Sequence, residues 1–221
     1  MKNLMIETRN VKRSFGEVEV LKGLNVQVSQ GEQVSIQGAS GSGKSTLLYL
    51  LGGLDQSTSG EVIVNDKNLS ELNEEQLAEF RNLDLGFVFQ FHFLLPAMSC
   101  LENMMLPARI AGKGTREISQ WVNELAKNLG VQHCLNRLPS EISGGEQQRI
   151  SIIRALSLRP KLILCDEPTG NLDSKNSMIV AELLKFLARE MGSTLVVVTH
   201  DSSVASHYSK KIIIEDGLII S

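Results

Sequence analysis

Gly38-Ala39-Ser40-Gly41-Ser42-Gly43-Lys44-Ser45-Thr46 stands between an apolar run, Val34-Ser35-Ile36, and the leucine-rich segment Leu47-Leu48-Tyr49-Leu50-Leu51. A loop that wraps polyphosphate must bring backbone N–H groups close to the oxygens, and glycines at 38, 41 and 43 keep side chains out of the way. Lys44 supplies a flexible point charge for the β and γ phosphates. Ser45 offers a hydroxyl to Mg²⁺, Thr46 falls on the α-phosphate side, and the helix that follows aims its positive end at the anion. The stretch therefore reads as a strand, a phosphate-binding loop and a helix.

The chain has 221 residues, enough for one α/β domain with an inserted subdomain. Its 22 Lys+Arg against 25 Asp+Glu give a net charge of −3, so nucleic acid is not expected as a partner. No apolar run approaches the roughly 20 residues that span a bilayer, and Met1-Lys2-Asn3-Leu4 is not a signal peptide, so a cytoplasmic protein is expected. Cys100, Cys134 and Cys165 are widely spaced and read as buried thiols, not as a disulfide or zinc framework.

Upstream of the loop, residues 4 to 9 and 18 to 28 alternate as antiparallel strands do. Between them Lys12-Arg13-Ser14-Phe15-Gly16 reads as a polar turn with an exposed aromatic, suited to stacking or to core packing. Downstream, the leucine helix stops at Gly52-Gly53. Glu61 to Val64 is a strand, Asn73 to Gln76 opens a polar helix, and Leu85 to Phe89 is a strand that delivers Gln90. From 91 to 158 strand signals give way to helix patterns, and this region is expected to form an inserted helical subdomain. In it Ile118, Trp121, Val122, Leu125 and Leu129 share one apolar helix face, and His133 has no metal-ligand spacing. Residues 1–90 and 159–221 then make the nucleotide-binding core with its β subdomain.

Lys161 to Cys165 is a wholly apolar, buried-type strand ending in Asp166-Glu167, and Thr194 to Val198 is another, ending near His200. In an open parallel sheet the strand C-termini face the ligand crevice, so the phosphate loop, Gln90, Asp166, Glu167 and His200 converge there. Phosphoryl transfer uses such a set. Asp166 is placed to hold Mg²⁺, with Ser45 and Gln90, Glu167 to orient or deprotonate the attacking water, and His200 to donate to the γ-phosphate. Ser143-Gly144-Gly145-Glu146 is a capping box, which starts a helix with anion-seeking N–H groups.

These motifs, in this order and with Asn171-Leu172-Asp173, resemble the ATP-binding subunit of an ABC transporter over essentially the whole chain. The resemblance implies an α/β phosphate-loop core with an N-terminal antiparallel β subdomain and an inserted helical subdomain, working as an ATPase with ATP and Mg²⁺. It implies a head-to-tail dimer with a second copy, in which Ser143, Gly145 and Glu146 reach the partner's nucleotide, and it makes Phe15 the adenine-stacking ring. Ile142 and Glu146 stand where leucine and glutamine are more common. Gly86 to Pro96, Leu101-Glu102-Asn103, Pro107 and Glu167 to Asp173 are similar to the lipoprotein-releasing branch, close to macrolide and peptide exporters and to a cell-division ATPase. That similarity implies integral membrane permease subunits met through residues 91–107, at the cytoplasmic face of the inner membrane. Phe91 to Met98 would supply a groove for a partner helix, with packing inside the helical subdomain as the other use of these side chains.

Overall fold

The computed structural model describes residues 3–170 and 174–220. Asn171-Leu172-Asp173 lies outside the described residues.

Two sheets sandwich one helix. The first sheet is antiparallel: β1 (Leu4–Phe15), β2 (Val18–Leu24), β3 (Gln27–Ser29), β5 (Ser59–Val64) and β6 (Lys67–Asn68) pair in the order β2-β1-β5-β6, with β3 also on β1. The second holds β4 (Gln33–Gln37), β7 (Leu85–Val88), β8 (Leu162–Asp166), β9 (Thr194–Val198), β10 (Lys210–Glu215) and β11 (Leu218–Ile219), in the order β11-β10-β4-β9-β8-β7. All its pairings are parallel except β10 with β11. The parallel strands therefore end on one edge, and each delivers the residue that follows it to that edge.

Helix α1 (Lys44–Leu51) lies under the first sheet, where Leu47, Leu48, Leu50 and Leu51 are buried with Ile6, Val62 and Val64. Leu162, Leu164, Val196 and Val198 face the same core, while the alternate residues Ile163, Cys165, Leu195 and Val197 face a second core. This period of two explains why the central strands are apolar throughout: both faces are covered. The second core is roofed by α3 (Cys100–Ile110), α4 (Arg116–Asn128), α5 (Gly144–Leu156) and α6 (Ser174–Met191); α2 (Glu74–Leu83) and α7 (Ser202–Ser206) complete the helices. All three cysteines are buried and free.

Several local expectations change. Strand β1 continues past residue 9 to Phe15: Asn10 takes a left-handed turn (φ 49) that bulges the strand between its pairs with β5 at Arg9 and Lys12, and pairing with β2 takes over from Val11. The turn is then only Gly16-Glu17, and Phe15 closes the hairpin opposite Val18. The run from 18 to 28 splits at Asn25-Val26, where the Thr8 hydroxyl accepts from the Val26 N–H and donates to the Leu24 carbonyl. Phe89 falls outside β7, and residues 91–99 carry no helix; helical structure starts at Cys100, behind the Ser99–Glu102 capping box.

Candidate functional site

The phosphate loop joins β4 to α1 through glycines in left-handed conformations, two of them crowded. A Cβ on Gly38 would collide with the Ile214 carbonyl, and one on Gly43, at φ 102, would come 2.6 Å from Leu21 Cδ2. Gly43 is also the N-cap of α1, which has no side-chain cap and no acidic residue in its first turn. Helices α2, α3 and α5, by contrast, all start with a carboxylate or amide reaching back onto their own N-cap. The opening N–H groups of α1 are thus left to bind an anion. Lys44 is buried to 7% exposure, its Nζ donating to the carbonyls of Gly38 (2.9 Å) and Ala39 (2.7 Å), so the ammonium is held over the loop.

The strand-end residues gather as expected. Ser45 Oγ donates to Asp166 Oδ1 at 2.9 Å, bringing together two oxygen donors of the kind Mg²⁺ prefers. Tyr49, one helical turn beyond Ser45, has its hydroxyl pushed up to about 12, first by burial and then by the Asp166 charge. Glu167 has a left-handed backbone (φ 47), a strained state for a non-glycine residue that costs about 1–3 kcal/mol. Its N–H is tied to the Val198 carbonyl at 3.0 Å, and its Oε1 pairs with His200 Nδ1 at 2.9 Å. Oε2 is buried and makes no hydrogen bond among the described residues. Glu167, Thr169, Gly170, Ser177, Thr199, His200 and Asp201 enclose a polar cavity of about 110 Å³, room for a few waters. Gln90 lies against this cavity: a Cβ on Gly170 would be 3.4 Å from its Nε2.

Phe15 and the serine-glycine-glycine turn are not part of that cluster. Phe15 is 51% exposed, with the Arg13 guanidinium 4.3 Å from its ring centre and Arg13 itself bonded to Asp55 at 2.7 Å. Ser143 and Gly144 are exposed at the start of α5. Glu146 Oε2 accepts from the Ser143 N–H (2.8 Å) and hydroxyl (2.7 Å), and Oε1 pairs with His133 Nε2 at 2.7 Å. These donors, Ser143's first, hold the Glu146 carboxyl down at about 2. None of the Ser143 bonds reaches the phosphate loop of its own chain.

Sequence reasoning gave no part to Gln148, which the structure makes a junction. Buried to 2% exposure, it donates from Nε2 to the Pro168 carbonyl at 2.8 Å, next to Glu167, and its Oε1 meets His92 Nδ1 at 2.6 Å, two residues past Gln90. Arg154, two turns on, donates to the carbonyls of His92 and Phe93, both at 2.7 Å. Helix α5 therefore grips the segments after β7 and after β8. The available signal was a glutamine four and eight residues before Ile152 and Leu156, which puts it on the apolar face of α5.

The segment after Gln90 divides between core and surface. Leu94 packs against the second core, whereas Phe91 (63%), Phe93 (61%) and Leu95 (42%) are exposed. Phe87, Phe89 and Phe93 form a ring ladder, with centroids 4.2 and 5.2 Å apart, along a groove of about 300 Å³ that Leu106, Pro107 and Arg154 also line.

Residues 21–170 match the family model described as ABC transporter. A lipoprotein-releasing system ATP-binding protein LolD from Porphyromonas gingivalis is 46% identical over 99% of this chain and 100% of its own length. Its counterpart from Geobacter metallireducens is 45% identical over 98% of both chains. Among solved structures, a dimeric bacterial ABC transporter cassette, MJ0796, superposes with a TM-score of 0.91 at 40% identity, covering 98% of this chain and 97% of that one. A post-hydrolysis dimer of the same cassette bound to ADP and Pi gives 0.89 at 38% identity, with the same coverage. At that similarity over that length, the chain belongs to the ABC transporter family.

Proposed function

We propose that this ABC transporter ATPase powers the release of lipoproteins from the bacterial inner membrane, as the peripheral, cytoplasmic-side subunit of a complex with integral permeases. The cargo reading is carried by the near full-length likeness to proteins of that name, 45 and 46% identical. Residues 91–158 act as the helical subdomain, and the groove lined by Phe89 and Phe93, with Phe91 at its exposed approach, takes an apolar helix of the permease.

In this reading the loop from Gly38 to Thr46 holds the phosphates, Lys44 turns its ammonium from the loop carbonyls to the β and γ oxygens, and Phe15 stacks on adenine. Ser45 and Asp166, already 2.9 Å apart, would hold Mg²⁺ with Gln90, and the ion would supply positive charge for the phosphates when bound. Glu167 Oε2, buried and unbonded within the small polar cavity, takes a proton from the attacking water, while His200 braces Oε1 and faces the γ-phosphate. Ser143, Gly145 and Glu146 serve the nucleotide of a second copy, head to tail; in support, the hydrogen bonds of Ser143 stay at the start of its own helix and do not reach its own loop. Binding closes the pair and hydrolysis reopens it.

The test is purification of the tagged chain from a membrane extract, followed by ATP addition to inner-membrane vesicles carrying the complex. Integral membrane subunits should co-purify and lipoproteins should be released. A complex that moves only peptides or macrolides contradicts the cargo reading.

A further inference from the structure

Among the described residues, His133, Cys134 and Glu146 bring three kinds of metal-binding atom together, all within 4.8 Å of one another. His133 Nε2 is 2.7 Å and Cys134 Sγ 3.5 Å from the same oxygen, Glu146 Oε1. His133 and Cys134 come from the short helix Gln132–Cys134 after α4, Glu146 from the first turn of α5. Nitrogen, sulfur and oxygen at tetrahedral zinc distances lie about 3.3–3.7 Å from each other. The sulfur-oxygen pair already has that spacing; the nitrogen must withdraw from the oxygen by about half an ångström, and the nitrogen and sulfur, now within 4.8 Å, must settle at about 3.6 Å. His133, with a side chain 54% exposed, is able to make that movement, and it leaves one side of the cluster open to water.

We propose that His133, Cys134 and Glu146 form a site for a borderline divalent transition metal, with zinc the best match and water as the fourth ligand. Imidazole and thiolate suit zinc and cobalt and do not suit Mg²⁺, so the site is separate in chemistry from the nucleotide's metal. Protons now do the work of the ion: the imidazole and the thiol share Oε1 through hydrogen bonds. On binding, the metal takes the thiol proton's place and one proton leaves to solvent. The imidazole proton that Nε2 now donates to Oε1 exchanges through solvent for one on Nδ1, so that the Nε2 lone pair faces the metal, and nothing is oxidised or reduced. Burial, with the Glu146 hydrogen bond next, holds the thiol up at about 11, so Cys134 remains a thiol until a metal displaces its proton. The other Glu146 oxygen stays with Ser143, so the ion braces the start of α5.

The experiment is a cobalt(II) titration of the purified full chain without nucleotide, in a phosphine reductant, comparing wild type with Cys134→Ser and His133→Ala. Wild type should bind one cobalt per chain, with a thiolate-to-cobalt charge-transfer band that zinc abolishes. Cys134→Ser retains the volume and the hydrogen bond to Glu146 but should lose the band. His133→Ala, at an exposed position and checked for an unchanged circular dichroism spectrum, should weaken binding by more than about 100-fold, the upper end of what loss of an outer-sphere partner costs. Absence of the band in wild type, or an undiminished band in both variants, overturns the proposal.

Discussion

Glu167→Gln tests the chemistry at its centre. Glutamine has the same length and can keep a side-chain oxygen 2.9 Å from His200 Nδ1, so the φ 47 backbone, the Val198 hydrogen bond and the 110 Å³ cavity should all persist. What is lost is the basic oxygen at Oε2, the one that is buried with no partner among the described residues. A positioned general base contributes about 10²–10⁴-fold. The corresponding rise in the barrier is about 3–5 kcal/mol. Phosphate release under saturating ATP should therefore fall by at least about a hundredfold, while nucleotide affinity, measured by calorimetry, stays within about twofold of wild type. ATP-bound dimer should accumulate on a sizing column. His200→Ala, which removes the brace and the group facing the γ-phosphate but leaves the base, should cost less, and the double variant should add little to Glu167→Gln because the two act as one unit. Turnover within about tenfold of wild type in Glu167→Gln would refute the assignment of the base.

Lys44→Ala removes the ammonium that bridges the Gly38 and Ala39 carbonyls, so ATP affinity and turnover should both drop; unchanged values in calorimetry and phosphate release would take the loop out of the account. The Ser143 and His133 donors hold the Glu146 carboxyl down at about 2, so its contribution to stability is present above the ordinary carboxylate range and is lost as pH falls towards 2. Glu146→Gln should therefore lower the denaturant midpoint at pH 7 and flatten the acid limb of the stability profile; an acid limb identical to wild type would contradict this. Phe91→Asp, at a site 63% exposed, should spare folding and basal ATPase but abolish co-purification of the membrane subunits. Leu94→Asp should instead destabilise the fold in thermal melts, because Leu94 packs on the second core.

Features set by neighbours in the chain were legible from the sequence. The glycine pattern of the phosphate loop, the leucines of α1, the wholly apolar runs of β8 and β9 and the helix starts at Asn73 and Ser143 depend on residues within a few positions of each other. Features made by tertiary approach were not. Gln148 meets Pro168 and His92 across 20 and 56 residues, and His133 meets Glu146 across 13, spacings that carry no periodic signal. The left-handed turn at Asn10 extends β1 because β2 and β5 hold the strand from both sides, and that support cannot be read from residues 4 to 15. The apolar run after Gln90 was readable as apolar, but its division into a buried Leu94 and exposed Phe91, Phe93 and Leu95 depends on how the chain turns at Phe93, whose φ is 44.

The most direct test of the shared site is complementation between two inactive proteins. Ser143→Arg should bind ATP through its own loop and fail to hydrolyse it, because the bulky side chain enters the partner's site. Glu167→Gln should fail for want of the base. A mixed pair contains one site with neither lesion, so phosphate release should reappear on mixing and peak near equal amounts of the two proteins. Normal hydrolysis by Ser143→Arg alone, or no recovery at any mixing ratio, would contradict a site built from two copies of this chain.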